Sequence, residues 1–238
     1  MRLVFVELEK LRTVRSTWVL FACGVLLTLP LTVVALLQST SLRTAPDDVL
    51  GLVVLPAVFA ASIAVLASAR EFEHRTIAVS FALEPRRERV IAAKAAAAAL
   101  IGAAMAALAV AFSTGIAAVW LSGSGAPWPW TVGETAQGLA GAVLLVAIVA
   151  VGGTGFGALT RHVGIAITLL LGIYVALEGL LAGLLAVWRD YGPTAAAAVL
   201  TQPATGHAYP FAAALALASA LAGLHLAAGV VVVRRCDV

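Results

Sequence analysis

The sequence predicts an all-α membrane protein built from six transmembrane helices. Hydrophobic residues make up 62% of its 238 residues and charged residues only 11%, and the mean hydropathy is +1.05. A soluble domain carries roughly 25% charged residues, so much of this protein's surface has to face something other than water. Apolar runs of about 20 residues, the length that crosses a bilayer, recur along the chain. A third observation is the uneven placement of the cations.

Six apolar runs are long enough to cross a bilayer. We predict spans at residues 17–37, 49–69, 95–121, 136–159, 163–187 and 210–233, within one transmembrane domain that covers residues 1–238. The first run is longer than the apolar core of a cleaved signal peptide, and no A-x-A cleavage site follows it. We therefore expect it to remain in the mature protein.

The Lys and Arg residues lie mostly on one side of these spans. With six spans both termini share a side, and thirteen cations fall there: Arg2, Lys10, Arg12, Arg15, Arg70, Arg75, Arg86, Arg87, Arg89, Lys94, Arg161, Arg234 and Arg235. Only Arg43 and Arg189 fall on the other side. Because Lys and Arg accumulate in cytoplasmic loops, both termini are predicted to be cytoplasmic. Five or seven spans would remove this asymmetry.

The N-terminal stretch MRLVFVELEKLRTVRS predicts a helix that lies along the membrane surface. Its apolar residues form one stripe at helical spacing: Leu3, Val4, Leu8, Leu11 and Val14. Its polar residues lie mainly on the other face: Glu9, Lys10, Arg12 and Thr13. The cations of such a helix lie beside anionic lipid headgroups. A charged flank that only sets the topology is the alternative.

Prolines and glycines indicate how the spans bend and pack. Pro30 and Pro56 fall near the middles of the first two spans, where each removes a backbone hydrogen bond and predicts a kink. In the fourth span, Gly153 and Gly157 of GGTGFGAL have the small-xxx-small spacing that lets another helix approach closely. We interpret this motif as helix packing and not as phosphate binding, since no Lys follows it.

One charged segment, AREFEHRTIAVSFALEPRRERVIAAK at residues 69–94, interrupts the apolar chain. It holds ten of the 27 Asp, Glu, Lys and Arg residues. The pattern from Glu71 to Leu83 is compatible with a short helix, which Glu84 and Pro85 end because the residue before a proline avoids the α region. We predict a short helix parallel to the membrane within a rigid cytoplasmic projection over residues 70–94. A plain positive-inside connector is the alternative.

The last external connection, residues 188–209, predicts another short helix. In YGPTAAAAVLTQP, Pro193 lies near a helix start and Pro203 lies beyond its end. The segment is too short to span a bilayer. It is therefore a candidate re-entrant or interfacial helix before the last span.

Glu178 is an isolated carboxylate within the predicted fifth span, near its middle. A carboxylate there costs roughly 2.5 kcal/mol or more, so Glu178 should face the bundle interior. It could line a substrate path or gate a dimer seam. It could instead be a polar clamp to a neighbouring Ser, Thr or Tyr, such as Tyr174. A third interpretation is that Glu178 is the proton-coupling site of a secondary carrier. The other ionisable group embedded in a span is His225.

Motifs for catalysis or for metal binding are missing from the sequence. There is no G-x-x-x-x-G-K-[ST] motif, and glycines precede neither of the two lysines, Lys10 and Lys94. The histidines have no metal-binding spacing: His74, His162, His207 and His225. Cys23 and Cys236 cannot form a disulfide framework. We expect no catalytic site, no metal site and no nucleic-acid partner.

The charged segment resembles the first cytoplasmic loop of ABC type-2 transporter permeases, especially the short six-span ones of high-GC Gram-positive bacteria. That loop has an acidic residue, a Thr a few positions on, a Pro, a basic cluster and a Lys that opens the third span. The matching residues here are Glu71, Thr76, Pro85, Arg86, Arg89 and Lys94. Arg75 departs from the pattern, since many relatives have Gly before the Thr. ELEKLRTVRSTW resembles the family's entry helix, and ALEGLLAGLL resembles its fifth span.

The resemblance implies a coupling helix that seats in a groove of a separate ATP-binding subunit. The implied coupling residues are Glu71, Glu73, Thr76, Pro85, Arg86, Arg89 and Lys94. ATP and Mg would be bound by that partner, and this chain would bind no cofactor itself. The permease would form a homodimer or heterodimer in a bacterial plasma membrane and would export lipophilic compounds, drugs, peptides or lipids. An ATP-independent secondary transporter that uses Glu178 for proton coupling is the alternative function.

Overall fold

The computed structural model describes residues 2–39, 41–42, 44–203 and 207–235. These residues form α-helices, one short π-helical segment and turns, and there is no β-strand among them. The predicted all-α class is confirmed. Arg43 and Cys236, both named in the sequence analysis, lie outside the described residues.

Six helices of this part of the chain are long and apolar enough to cross a membrane, which supports a multi-pass membrane protein. They lie at Arg15–Gln38, Ala45–Glu73, Arg87–Gly123, Val132–Thr160, Val163–Leu184 and Phe211–Arg235, and we refer to them as the first to sixth spans. The third differs most from its prediction. It begins at Arg87 and not at residue 95, because the charged residues from Arg87 onward are already helical.

The first two spans are each interrupted one turn before a proline. The elements up to this point are α1 (Arg2–Thr13), α2 (Arg15–Leu26), α3 (Thr28–Gln38), α4 (Ala45–Gly51) and α5 (Val54–Glu73). The breaks fall at Leu27, before Pro30, and at residues 52–53, before Pro56. Proline has no N–H group, and its ring clashes with the carbonyl four residues earlier. The disturbance therefore appears on the N-terminal side of each proline.

The fifth span is less regular than the sequence predicts. The remaining elements are α6 (Ile77–Leu83), α7 (Arg87–Gly123), α8 (Val132–Thr160), α9 (Val163–Leu171), a π-helical segment (Gly172–Leu177), α10 (Glu178–Leu184), α11 (Ala186–Tyr191), α12 (Pro193–Thr201) and α13 (Phe211–Arg235). The span ends at Leu184 and not at residue 187. Glu178 therefore lies near one end of the span, where the sequence analysis placed it near the middle.

The fourth span, α8, is the centre of the bundle and packs mainly against α5, α7 and α13. Two of its glycines allow the close approach to α5. A Cβ atom on Gly153 would come within 2.6 Å of the Ala61 carbonyl oxygen, and one on Gly157 within 2.8 Å of Ser68 Cβ. This is the helix contact that the small-xxx-small spacing predicts.

The two ends of the bundle are built differently. At one end, which we call the charged end, α1 and α6 pack beside the start of α7. At the opposite end, α12 packs against α8, α13 and α4. Val199 and Leu200 of α12 are buried in the main hydrophobic core. One face of the short helix before the last span therefore packs into the bundle's core.

Candidate functional site

The charged segment contains the expected short helix, but this helix begins later than its pattern suggests. The helix of the second span continues to Glu73, and α6 begins at Ile77. Between them Arg75 adopts a φ of 56°, in the left-handed region that favours glycine. Arg75 occupies the position where the permease pattern has Gly. The turn is therefore formed without that glycine.

One face of α6 is held firmly against the bundle. Ile77 and Phe81 are buried. They belong to a hydrophobic cluster with residues from α7, α8 and α13, namely Val90, Ile91, Ala158 and Val233. Arg87 lies over the Phe81 ring, with 5.3 Å between its guanidinium carbon and the ring centroid. Through this cluster, α6 packs against the ends of the third, fourth and sixth spans.

The other face of α6 is exposed and apolar. Val79 is 64% exposed and Leu83 is 84% exposed, and side chains four residues apart are neighbours on a helix surface. Four further exposed residues of the segment lie within six positions of these two in sequence: Thr76, Pro85, Arg86 and Arg89. We call these six residues the α6 patch. It combines two large apolar side chains with two guanidinium groups.

Glu71 and Lys94 do not belong to the α6 patch. Lys94 is 1% exposed, and its Nζ lies 2.6 Å from Glu71 Oε1 and 2.8 Å from Glu7 Oε2. Lys10 Nζ lies 2.7 Å from Glu7 Oε1 and 3.1 Å from Glu71 Oε1. We call these four residues the ion cluster. Its two carboxylates and two ammonium groups balance in charge.

The ion cluster also contacts α6. Lys10 Nζ donates to Ser80 Oγ at 3.3 Å, and Ser80 Oγ donates to Glu71 Oε2 at 3.4 Å. Burial alone would lower the pKa of Lys10. The hydrogen bonds and negative charges of Glu7 and Glu71 raise this pKa by more than burial lowers it, so the pKa of Lys10 lies above its ordinary value. The cluster therefore joins α1, α5 and α7 through charged groups, and it contacts α6 through the Ser80 hydroxyl.

Glu73 has a separate role at the start of the fifth span. Its Oε1 accepts a hydrogen bond from the Val163 backbone N–H at 2.8 Å and lies 3.3 Å from His162 Nδ1. The Val163 N–H is one of the groups that a helix start leaves without an intrahelical partner. The Arg161 guanidinium carbon lies 5.6 Å from the centroid of the Phe72 ring. The charged segment is thus tied to the fifth span as well.

The seven residues implied by the resemblance fall into three places. Two are in the ion cluster (Glu71 and Lys94), one is at the start of α9 (Glu73), and four are in the α6 patch (Thr76, Pro85, Arg86 and Arg89). All four residues of the last group are exposed. Glu71, Glu73 and Lys94 each contact other helices of the bundle.

The sequence analysis missed two members of the ion cluster, Glu7 and Lys10. Lys10 was expected beside lipid headgroups, yet it contacts two carboxylates of the protein. The signal for Glu7 was available, because it lies four residues from both Leu3 and Leu11 and so within the apolar stripe of α1. A carboxylate on a buried face needs a charged or hydrogen-bonding partner.

Glu178 is 7% exposed and accepts three hydrogen bonds. Its Oε2 accepts from the Trp188 indole N–H at 2.6 Å, and its Oε1 accepts from the Thr194 backbone N–H at 2.8 Å and hydroxyl at 2.7 Å. Thr194 lies in the first turn of α12, where backbone N–H groups have no intrahelical acceptor and a negative charge is favoured. Glu178 therefore fixes α11 and α12 to the fifth span.

Tyr174 has a different hydrogen-bond partner from the one that the sequence analysis offered as an example. Its hydroxyl lies 3.3 Å from His225 Nδ1 on the sixth span. Phe156 of the fourth span packs against His225 in a tilted arrangement, with 4.4 Å between the ring centroids. These rings connect the fourth, fifth and sixth spans.

A cavity of about 410 Å³ lies beside these groups. Its walls come from the second, fourth, fifth and sixth spans and from α12, and both Glu178 and Tyr174 line it. Among the described residues, no group of three His, Cys, Asp or Glu side chains could hold a metal ion.

Comparison with protein-family models and with curated proteins finds no match for this chain.

Proposed function

We propose that this chain is the membrane-spanning permease subunit of an ATP-driven ABC transporter that exports its substrate. A separate subunit would supply ATP hydrolysis, and a second permease, identical or not, would complete the transport path. The observation that supports this proposal most is the α6 patch. It combines exposed apolar residues of α6, a helix that packs against three span ends, with exposed arginines that follow α6 in the chain.

The composition of the α6 patch suits a protein partner. Burying a Leu or Val side chain fully stabilises an interface by about 1.5–3 kcal/mol, and Val79 and Leu83 have most of their surface left to bury. Arg86 and Arg89 are exposed beside them in the chain and would pair with acidic groups on the partner. Under the positive-inside rule, the excess of cations at the charged end supports a cytoplasmic position for this surface, where ATP is available.

The contacts behind α6 suit the transmission of movement. A partner that shifts α6 would act on the third, fourth and sixth spans through Ile77 and Phe81. It would act on α1 and the second span through Ser80 and the ion cluster. ATP binding to the partner would then bias a conformational equilibrium of the spans, because one arrangement fits the closed ATPase better.

The test is the recovery of an ATPase with the purified protein. The tagged chain, isolated from its native membrane, is expected to carry an ATP-hydrolysing subunit. Leu83→Asp should weaken that association at least tenfold, since it places a charge at the most exposed apolar side chain of the α6 patch. Val132→Asp is the matched control, because Val132 is 88% exposed at the opposite end of the bundle. Failure to recover an ATPase, or equal recovery with Leu83→Asp, would contradict the proposal.

The alternative function, proton-coupled secondary transport, has one observation in its favour, since Glu178 lines a cavity. In that case Glu178→Gln should abolish transport driven by a pH gradient in vesicles that contain no ATPase. We expect no such gradient-driven transport by the wild-type chain.

A further inference from the structure

The cavity beside Glu178 has the size and lining of a small-molecule site. Its volume of about 410 Å³ lies within the range of about 300–1,000 Å³ that is usual for such sites. Its walls are mainly apolar, with contributions from Val54, Ala57, Leu145, Leu170 and Leu221. Such a cavity favours a lipophilic molecule.

A single charged side chain lines this cavity. Among its lining residues, all of which the structure describes, Glu178 alone carries a formal charge, and there is no Lys, Arg or His. Arg189, the cation closest to Glu178 in sequence, pairs with Asp190 at 3.2 Å. This differs from the ion cluster, where Glu7 and Glu71 each contact two lysines.

The hydrogen bonds to Glu178 compensate only part of its charge. The donors are an indole N–H, a backbone N–H and a hydroxyl, and all three groups are neutral. The N-terminus of α12 adds the equivalent of about half a positive elementary charge. A carboxylate that is buried without a full counter-charge is unfavourable, above all at membrane depth. A cation in the cavity would supply the missing charge.

Aromatic rings strengthen the preference for a cation. Phe156 and Tyr174 both line the cavity, and their ring centroids lie 6.3 Å apart in an edge-to-face arrangement. The face of an aromatic ring attracts a cation, and this attraction is stronger where water is excluded. The cavity thus combines a carboxylate, aromatic rings and apolar walls.

We propose that this cavity binds a lipophilic monovalent cation, such as an ammonium or phosphonium ion with aromatic or alkyl groups. The positive centre would lie beside Glu178, and the apolar groups would lie along the walls from the second and fourth spans. Such cations would be the substrate class of the exporter, and this last step rests on the proposed function. Binding itself does not depend on it.

The experiment compares two probes of nearly equal size and opposite charge, tetraphenylphosphonium and tetraphenylborate. Their binding to the purified chain in lipid nanodiscs would be measured against empty nanodiscs, with no ATPase present. Saturable binding of the phosphonium is expected, with binding of the borate at least tenfold weaker. Equal binding of the two ions, or no saturable phosphonium binding, would overturn the proposal.

Two variants separate the contribution of the Glu178 charge to binding from that of the cavity volume. Glu178→Gln removes the charge while its carbonyl oxygen still accepts from Thr194, and it should weaken phosphonium binding at least tenfold. Ala198→Leu keeps the carboxylate and fills part of the cavity, since Ala198 lines it, and it should weaken binding as well. Glu134→Gln, in the capping box at the start of α8, is the control and should leave binding unchanged. Wild-type affinity in both Glu178→Gln and Ala198→Leu would overturn the proposal.

The failure of this proposal can be distinguished from the failure of the proposed function. If the wild-type chain recovers an ATPase but does not bind the phosphonium, the cation site is rejected and the permease assignment is unaffected. Charge-selective binding by a chain that recovers no ATPase would support the site and reject the ATP-driven mechanism.

Discussion

Arg75 occupies a backbone conformation that few side chains adopt. Its φ of 56° brings Cβ close to the following carbonyl oxygen, which costs an L-residue roughly 1–2 kcal/mol. The turn that it forms separates the second span from α6. Its backbone N–H still donates to the Phe72 carbonyl at 3.1 Å. The side chain is exposed, so the cost at this position comes from the backbone.

Replacement of Arg75 by glycine should therefore stabilise the protein or leave its stability unchanged. The expected gain is at most about 1 kcal/mol, because glycine removes the steric cost but adds conformational entropy to the unfolded chain. Thermal unfolding of the purified protein measures this change in stability. Arg12→Gly is the matched control, since Arg12 lies within α1 without a positive φ, and it should destabilise by about 0.5–1 kcal/mol. Equal losses in both variants would show that the turn does not need a left-handed residue.

Individual site residues could be predicted only where a local rule applied to them. Pro85 was a reliable end for α6 because a proline restricts the residue before it. The cost of an isolated carboxylate predicts that Glu178 needs a hydrogen-bond partner. Its donors, Trp188 and Thr194, could not be predicted, because they follow the fifth span, which ends earlier than the sequence indicates. Glu7 was overlooked although it interrupts an apolar stripe. Its partner Lys94 is 87 residues away in sequence, and helical periodicity carries no information about such a pairing.

At the scale of elements, the ion cluster forms only when several helices meet. Glu7 comes from α1, Glu71 from the end of α5 and Lys94 from the first turns of α7. Each carboxylate contacts both lysines. Because Lys94 is almost completely buried, its removal leaves two carboxylates with only the half-exposed Lys10 as a counter-charge. The cluster thus attaches α1 to the bundle through buried ion pairs, which a surface helix with lipid contacts alone would lack.

Lys94→Met should destabilise the protein by about 3–5 kcal/mol, the range for removing one partner of a buried ion pair. Thermal or denaturant unfolding of the purified chain measures this. Arg12→Met is the control, because the Arg12 pair with Glu9 is exposed at 3.5 Å and such pairs contribute little. The double variant Lys94→Met with Glu71→Gln should recover part of the loss, since it removes a positive and a negative charge together. A double variant that loses the sum of the two single losses would argue against charge compensation.

The sequence predicts long elements better than short ones. Six spans follow from apolar length, because a bilayer imposes that length on each helix. The start of α6 could not be predicted, since the helix of the second span continues through Glu73 and the break depends on the left-handed turn at Arg75. The π-helical segment and the early end of the fifth span have no sequence pattern that distinguishes them from a regular helix. The burial of α12 depends on close contact between Gly141 of α8 and the Leu200 carbonyl, which only the assembled fold defines.

At the scale of the whole molecule, the two ends are chemically distinct. The charged end holds the ion cluster and the α6 patch, and the opposite end holds Glu178 and α12. The cavity beside Glu178 is lined along the fourth span as far as Phe156. The fourth span links the two ends, because α8 packs against α5 and α13 along the bundle and also contacts α12. Ala158 lies near one end of α8 and Gly141 lies nearer the other end. We therefore expect a shift of α6 that moves Ala158 to alter the packing of α12 at Gly141. This gives the proposed exporter a physical connection between its ATPase surface and its cation site.

The proposed orientation leads to the last prediction. Thirteen of the fifteen Lys and Arg residues lie on the side of the charged end in the six-span topology, so this end should be cytoplasmic. Val79→Cys and Val132→Cys, each in a Cys23→Ser, Cys236→Ser background, place one exposed thiol at each end. In intact bacteria, a membrane-impermeant thiol reagent should label Val132→Cys and should reach Val79→Cys only after the membrane is permeabilised. Labelling of Val79→Cys in intact cells would place the α6 patch outside, where no ATPase could dock, and would reject the coupling mechanism together with the orientation.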